Sequence, residues 1–243
     1  MNKPVIRALV TGGSGGIGSA ICRRLAAAGH FVYVHANRGT AAATATVEAI
    51  VAAGGQAAAV QFDLTDADAT RSAAEHLLEA GPVQVLVNNA GVHDDAVFPG
   101  MSAAQWHRVI DLSVNGFYNV TQPLILAMIR TRWGRIISIS SVTGLVGNRG
   151  QVNYAAAKGA LNAATKALSL EVAGRGITVN AVAPGIINTP MIDNAFDAAT
   201  IASLVPMKRA GTAEEVASLV AYLTSEEAAY ISGQIISING GMI

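Results

Sequence analysis

The sequence predicts an α/β fold: a single-domain, doubly wound, mostly parallel sheet of about seven strands with helices on both faces. Three observations predict it. Short apolar runs rich in β-branched residues alternate with segments of helical spacing along the chain. A glycine-rich turn, TGGSGGIG, separates the first apolar run from the first helical segment. The composition is 51% hydrophobic with 5% aromatic and 13% charged residues, a balance expected where covering helices bury parallel strands.

The elements follow in order. VIRALVTG, FVYVHAN, AAAVQFDL, VQVLVNNAG, GRIISISS, ITVNAVAPG and QIISING read as strands, each bounded by Gly, Asn, Asp or Pro. Between them, 17–28, 40–53, 67–80, 103–130, 151–173 and 212–223 carry helical spacing. Such alternation requires crossover connections, hence a parallel sheet. No linker, repeat or low-complexity block divides residues 1–243, so one domain is expected. The longest stretch without a clear strand, 186–211, is expected to be a substrate loop or lid. Its apolar residues Met191, Ile192, Phe196, Ile201, Leu204 and Met207 would either cover an acyl chain or seal the core.

The formal charge is zero and no Lys/Arg block stands out, which gives a nucleic-acid partner no support. No basic-then-apolar leader and no bilayer-length apolar run occurs, so neither a membrane partner nor export is expected, and a cytoplasmic location is the default. The single cysteine, Cys22, lies on an apolar helical stretch and reads as a buried structural thiol. The five histidines show no ligand spacing, and no metal is expected.

Candidate chemistry collects at the ends of the strands. Thr11-Gly12-Gly13-Ser14-Gly15-Gly16-Ile17-Gly18 follows the first strand and opens a helix, the context in which glycines let a backbone approach a pyrophosphate. The spacing is T-G-x-x-x-G-x-G rather than G-x-G-x-x-G. The second strand ends in Ala36-Asn37-Arg38, and no Asp or Glu occurs between Met1 and Val47. An acid there would hold a ribose 2′-hydroxyl and repel a 2′-phosphate. Its absence beside Arg38 points to NADP(H), although a solvated loop arginine is the plain alternative. Asp63, ending the third strand, would accept from an adenine amine or cap a helix, a role for which Asp66 competes. Asn88-Asn89-Ala90-Gly91 closes the fourth strand at the edge where open α/β sheets bind ligands. In YAAAK, Tyr154 and Lys158 stand four residues apart and so share a helix face. The pair alone fits a packed phenol and a snorkelling ammonium as well as a tuned proton donor.

TGGSGGIG, NNAG, a serine thirteen residues before YAAAK, and APG fall in this order at successive strand ends. Together they resemble the short-chain dehydrogenase/reductase family over essentially the whole chain. Within it, GRIISISS, GNRGQVNYAAAKGAL, RGITVNAVAPG, EEAAYISG and the terminal NGGM are most similar to the 3-oxoacyl-(acyl-carrier-protein) reductases. The resemblance implies that Tyr154 donates a proton to a carbonyl and that Lys158 holds the nicotinamide ribose and depresses the tyrosine pKa. It implies that Ser141, rather than adjacent Ser140, bonds the carbonyl oxygen. Implied cofactor positions are Gly12, Ser14, Gly15, Gly16, Ile17 and Gly18 in the turn, with Asn37, Arg38, Asp63 and Leu64 after the second and third strands. Asn89, Ala90 and Gly91 follow, then Tyr154 and Lys158, with Pro184, Gly185, Ile187 and Thr189 around the nicotinamide. The implied reaction is NADPH-dependent reduction of a 3-oxoacyl thioester on acyl carrier protein, with Arg132 and Arg175 docking the acidic carrier and a homotetramer in which the fourth and fifth large helices form one interface. For both arginines, placement at a helix C-terminus is explanation enough without a carrier.

Three positions depart from the family pattern. Ser113 stands where an Asn usually bends a helix and holds a water linking the lysine to solvent, and Asn115 lies two residues on, turned to another side. Gly15 stands where NADP-using relatives often carry Arg, and His93 stands where this group often has other residues. Two alternatives to the implied reaction stand. One is a reductase or dehydrogenase of the same chemistry acting on a small free ketone or alcohol, which activity independent of Arg132 and Arg175 would favour. The other is a catalytically weak partner subunit, for which Ser113 is the motive.

Overall fold

The computed structural model describes residues 5–189 and 197–243. The first five strands are β1 (Arg7–Val10), β2 (Phe31–Ala36), β3 (Gln56–Gln61), β4 (Val83–Asn88) and β5 (Gly134–Ile139). Strand β6 (Ile177–Pro184) and, after two short strands, β9 (Ile235–Ile238) complete the sheet. Its order is β3-β2-β1-β4-β5-β6-β9, every neighbouring pair parallel. The order reverses between β1 and β4, so their carboxyl ends flank a crevice in which such sheets bind ligands.

Alternation along the strands builds two cores. Ala8 and Val10 face one side with Val32, Val34, Val85, Val87 and Ile137, against α1 (Gly16–Ala27), α2 (Thr40–Ala52) and α9 (Ala213–Thr224). Leu9, Tyr33, Leu86, Ile136 and Val179 face the other, against α3 (Ala67–Glu79), α5 (Gly116–Thr131) and α7 (Val152–Val172). Both cores are closed by side chains with no exposure at all, Leu25 on one face and Leu124 on the other. Burying each contributes about 1.5–3 kcal/mol.

Three features differ from the sequence expectation. The single helix expected over 103–130 is α4 (Ala103–Ile110), a π-helical turn at Asp111–Asn115 and then α5. A short helix, α6 (Thr143–Val146), precedes α7. The 186–211 stretch is not without structure. Its strand β7 (Ile187–Asn188) pairs in parallel with β8 (Gly211–Thr212), and α8 (Ala198–Leu204) lies between them. Two-residue strands and a seven-residue helix are too short for periodicity to reveal. Of the expected lid residues, Met191, Ile192 and Phe196 lie outside the described residues. Ile201 is half-buried, and Leu204 and Met207 are exposed. No helix among the described residues is long and apolar enough to cross a membrane.

Candidate active site

The glycine turn is held from three sides. Thr11 Oγ1 donates to Val87 O (3.3 Å) and accepts from Asn89 N and Ala90 N (both 3.0 Å). Asn89 Nδ2 donates to Thr11 O (2.8 Å) and Gly12 O (3.0 Å), so the second amide of NNAG is committed to the turn itself. Gly12 sits at φ +61°, where a side chain would be strained and would press on Ala90. A Cβ on Gly18 would collide with the Gly12 carbonyl and stand 2.7 Å from Asn89 Nδ2. Glycine at both positions therefore lets α1 begin directly against the turn.

The N-terminus of α1 carries no side-chain cap and no acid in its first turn. Gly16, Ile17 and Gly18 thus present unpaired N–H groups and the positive end of the helix dipole. By contrast, Asp66 caps α3, while Ser102–Gln105 and Thr212–Glu215 capping boxes close α4 and α9. A capless, acid-free N-terminus over a turn in which Gly12, Gly13 and Gly18 leave no room for a side chain fits a pyrophosphate.

Beside it, Asn37 and Arg38 are exposed after β2, and Asp63 follows β3. The Asp63 carboxylate accepts from Thr65 N (2.9 Å) and Thr65 Oγ1 (2.7 Å). These bonds hold it below the usual carboxylate range, helped by the Asn37 side chain and the Arg38 charge. Leu64 is buried, its carbonyl accepting from Asn119 Nδ2 (2.9 Å).

The other candidates gather at the same edge. Lys158 is 3% exposed, and its Nζ donates to Ile139 O (2.8 Å) at the end of β5. Nζ also lies 5.5 Å from the centre of the Tyr154 ring. Burial lowers the lysine from 10.5 to about 8. Gly91 stands over the ammonium, where a Cβ would lie 3.1 Å from Nζ. Ser140 Oγ turns into the fold and donates to Lys158 O (3.2 Å), whereas Ser141 Oγ accepts from Thr143 N (3.1 Å) and belongs to a half-buried residue. Of two adjacent hydroxyls, the one thirteen residues before Tyr154 is thus the one left at the cleft.

The protein by itself does not depress the tyrosine pKa, contrary to the expectation placed on Lys158. Burial pushes the Tyr154 phenol above its ordinary value, the Ser141 side chain pulls it down by hydrogen bonding, and the Asp95 charge pushes it up again. The buried lysine, lowered to about 8, remains mostly charged at neutral pH, and burial outweighs its effect on the phenol. The phenol therefore keeps its proton at neutral pH.

Ser113 lies in the π-helical turn, 3% exposed. Its Oγ and Asn88 Oδ1 are buried without a protein partner, and both residues line a cavity of about 10 Å³ with Thr11, Leu64 and Ala90. That volume is about the size of one water, and the two oxygens are suitable partners for it. Asn115 points elsewhere, its Nδ2 on Asp111 Oδ1 (2.9 Å).

Pro184 ends β6, its carbonyl accepting from Val142 N (2.9 Å), and Gly185 N donates to Ile238 O (3.0 Å). Ile187 is buried in β7, and Thr189 Oγ1 donates to Ile187 O (3.4 Å). Arg132 and Arg175 are brought together, Arg132 Nη2 donating to Gly174 O (3.3 Å). They stand before β5 and β6, however, at the amino edge of the sheet. Strands of six to eight residues at about 3.3 Å per residue separate them from Ser141 and Gly185. Within one chain they do not border the cleft.

Sequence reading missed a polar chain along the rim. Gln151 Nε2 donates to Asp95 Oδ2 (2.8 Å), and His93 pairs with Asp95 Oδ1 (3.2 Å). Asn153, with no exposure, donates to Asp94 O (2.9 Å) and Gln105 O (3.1 Å) and caps Tyr154 N (2.8 Å) through Oδ1. Only the position of Asn153, one residue before Tyr154, hinted at its role.

A parallel sheet of this order, with a glycine-rich anion cradle at its switch point and a Ser–Tyr–Lys set beside it, defines a dinucleotide-dependent oxidoreductase. The short chain dehydrogenase family model matches residues 7–200, and the chain belongs to that family. It is 44% identical over 240 residues to a 3-oxoacyl-(acyl-carrier-protein) reductase of Aggregatibacter actinomycetemcomitans, covering 96% of this chain and 98% of that protein. It is 42% identical over 240 residues to an acetoacetyl-CoA reductase of Cupriavidus necator, covering 97% of each. Nodulation protein G of a Rhizobium species is 43% identical over 241 residues, covering 97% of this chain and 96% of that protein.

Proposed function

We propose that the protein is an NADPH-dependent reductase of 3-oxoacyl thioesters carried on acyl carrier protein, acting in acyl-chain synthesis. The observation that carries the reading is the convergence of Ser141, Tyr154 and buried Lys158 on the crevice headed by the free N-terminus of α1. The relatives' names support a thioester ketone as substrate.

The first turn of α1 and the Gly12 turn would hold the pyrophosphate, Asn37, Arg38 and Asp63 the adenosine end, and Lys158 the nicotinamide ribose. Pro184, Gly185, Ile187 and Thr189 would border the nicotinamide. The bound cofactor supplies a hydride for the carbonyl carbon. Ser141 Oγ and the Tyr154 hydroxyl donate to the carbonyl oxygen, stabilising the charge that develops there. Tyr154 then releases its proton to that oxygen, completing the hydroxyl. A phenol raised by burial is in the form the reducing direction needs. A water shared by Ser113 and Asn88 would fill the cavity beside the site, and the Ser141, Tyr154 and Lys158 set favours an active enzyme over a silent subunit.

A second reading, reduction of a small free ketone, is favoured by the position of Arg132 and Arg175 away from the cleft. If the arginines do dock a carrier, they serve the cleft of another subunit. Exposed Tyr118 and Leu126 on α5 and Leu170 on α7 support such an assembly, for which a homotetramer is our proposal.

Loss of nicotinamide absorbance with a 3-oxoacyl thioester, run with NADPH and NADH side by side, tests the reading. Turnover favouring NADPH is expected. A preference for NADH overturns the role given to Arg38, and cofactor binding without turnover on carrier-bound or free ketones overturns the reductase.

A further inference from the structure

Resting on the reading that a dinucleotide binds at the glycine turn, we propose that His35 is a positioning residue for that cofactor. It sets the turn from beneath as a neutral imidazole. The residue lies in β2, is 1% exposed, and bears no part in the chemistry described above. Four contacts define it. Gly12 N–H donates to Nδ1 (3.1 Å), and Gly13 N–H donates to the His35 carbonyl (2.8 Å). Nε2 lies 2.9 Å from Phe62 O, and the Phe62 ring tilts against the imidazole with centres 4.2 Å apart.

These partners dictate the tautomer. A backbone N–H can only donate, so Nδ1 is bare, and a carbonyl can only accept, so Nε2 carries the hydrogen. The Gly12 peptide is thereby gripped at both ends. His35 takes its N–H, while Asn89 Nδ2 (3.0 Å) and Gly15 N (3.1 Å) take its carbonyl. That grip holds the left-handed turn at Gly12 against which Gly18 and the open end of α1 are packed. The same ring ties the turn to Phe62, one residue before Asp63 and the adenosine end of the groove.

Protonation of Nδ1 would set one N–H against another and release Gly12. Burial holds the imidazole below its ordinary 6.5, with the Phe62 carbonyl and the Asp63 charge opposing it. Asp63 faces the ring from the end of β3. Cys22 packs under Gly13 from α1, and its thiol, pushed up to about 12, stays neutral. A group depressed in this way does its work at neutral pH and loses it as pH falls through the lowered value.

The experiment measures NADPH affinity calorimetrically for wild type, H35N and H35Q at about pH 7.5 and at descending pH. Circular dichroism and thermal melting of the cofactor-free proteins check the fold. Asparagine puts an acceptor oxygen where Nδ1 stands, and glutamine puts a donor where Nε2 stands. At pH 7.5 H35N is expected near wild type and H35Q about tenfold weaker, the loss of one hydrogen bond in a buried setting. On acidification the wild type weakens faster than H35N. The cofactor's 2′-phosphate titrates equally for both and cancels in their ratio. Equal affinity of H35Q and wild type, or an H35N pH profile parallel to wild type, overturns the proposal while leaving the cofactor reading standing. A wild type that binds neither NADPH nor NADH overturns both. Should H35Q fail to fold, the wild type to H35N pH ratio decides alone.

Discussion

Tyr154 and Lys158 share a face of α7, yet burial acts on them in opposite senses, raising the phenol and lowering the ammonium. Replacing Tyr154 by Phe removes the proton donor and leaves the ring. Turnover in Y154F should drop by at least about a hundredfold, with a far smaller loss of NADPH affinity by calorimetry; retained turnover would assign the proton to another group. Lys158 makes a stability prediction of its own. The folded chain binds fewer protons than the unfolded one between the lowered value, about 8, and 10.5, so the lysine's contribution to stability rises with pH across that window. Relative to K158M, the cofactor-free wild type should gain on the order of 3 kcal/mol from about pH 7.5 to pH 10.5 in denaturant titrations. A pH-independent difference would mean that the ammonium is well solvated. Sequence spacing alone selected Ser141 over Ser140, and in the fold Ser140 Oγ is turned inward onto Lys158 O. The identity of His35 as a buried acceptor was not legible, because nothing in FVYVHANR says which face of the strand meets the glycine turn.

At the scale of elements, α1 and the turn before it behave as one unit. Gly15 and Gly18 differ sharply there. A Cβ on exposed Gly15 meets its first neighbour, Gly12 O, at an ordinary 3.5 Å, whereas one on buried Gly18 strikes the Gly12 carbonyl and the Asn89 amide. G15A, at the N-cap of α1, should lose no more than about 1 kcal/mol, and G18A should lose about 3 kcal/mol or more together with most NADPH affinity; comparable melting of the two would contradict the tight packing of α1 on the turn. The π-helical turn at Asp111–Asn115 is the other local departure. The sequence pattern reads as one helix because the apolar spacing continues across it. The extra residue shows only in the backbone, where such turns gather at functional positions, and it delivers Ser113 to the cavity beside Asn88.

Across the whole molecule, the two edges of the sheet have separate characters. The carboxyl edge carries the glycine turn, Ser141 and Gly185, while Arg132 and Arg175 stand at the amino edge. Carrier docking through these arginines thus requires a neighbouring subunit. Replacing both by Glu should raise KM for a carrier-bound 3-oxoacyl substrate at least about tenfold while leaving that for its uncharged N-acetylcysteamine thioester unchanged. Equal effects on both substrates would assign the arginines to folding or assembly.

The sequence by itself determined the alternation of strands and helices, the glycine turn after β1 and the order of the motifs at strand ends. These are local or periodic signals, written in neighbouring residues. It also determined the Ser–Tyr–Lys spacing, because two of the three sit on one helix and the third ends an adjacent strand. Only the tertiary structure decided that Asn89 serves the turn, that Ser113 and Asn88 share a cavity, that the arginines lie on the far edge and that His35 grips Gly12. Each of these depends on residues far apart in the chain meeting across the sheet, and which side chains meet there follows from strand order and packing rather than from any pattern along the sequence.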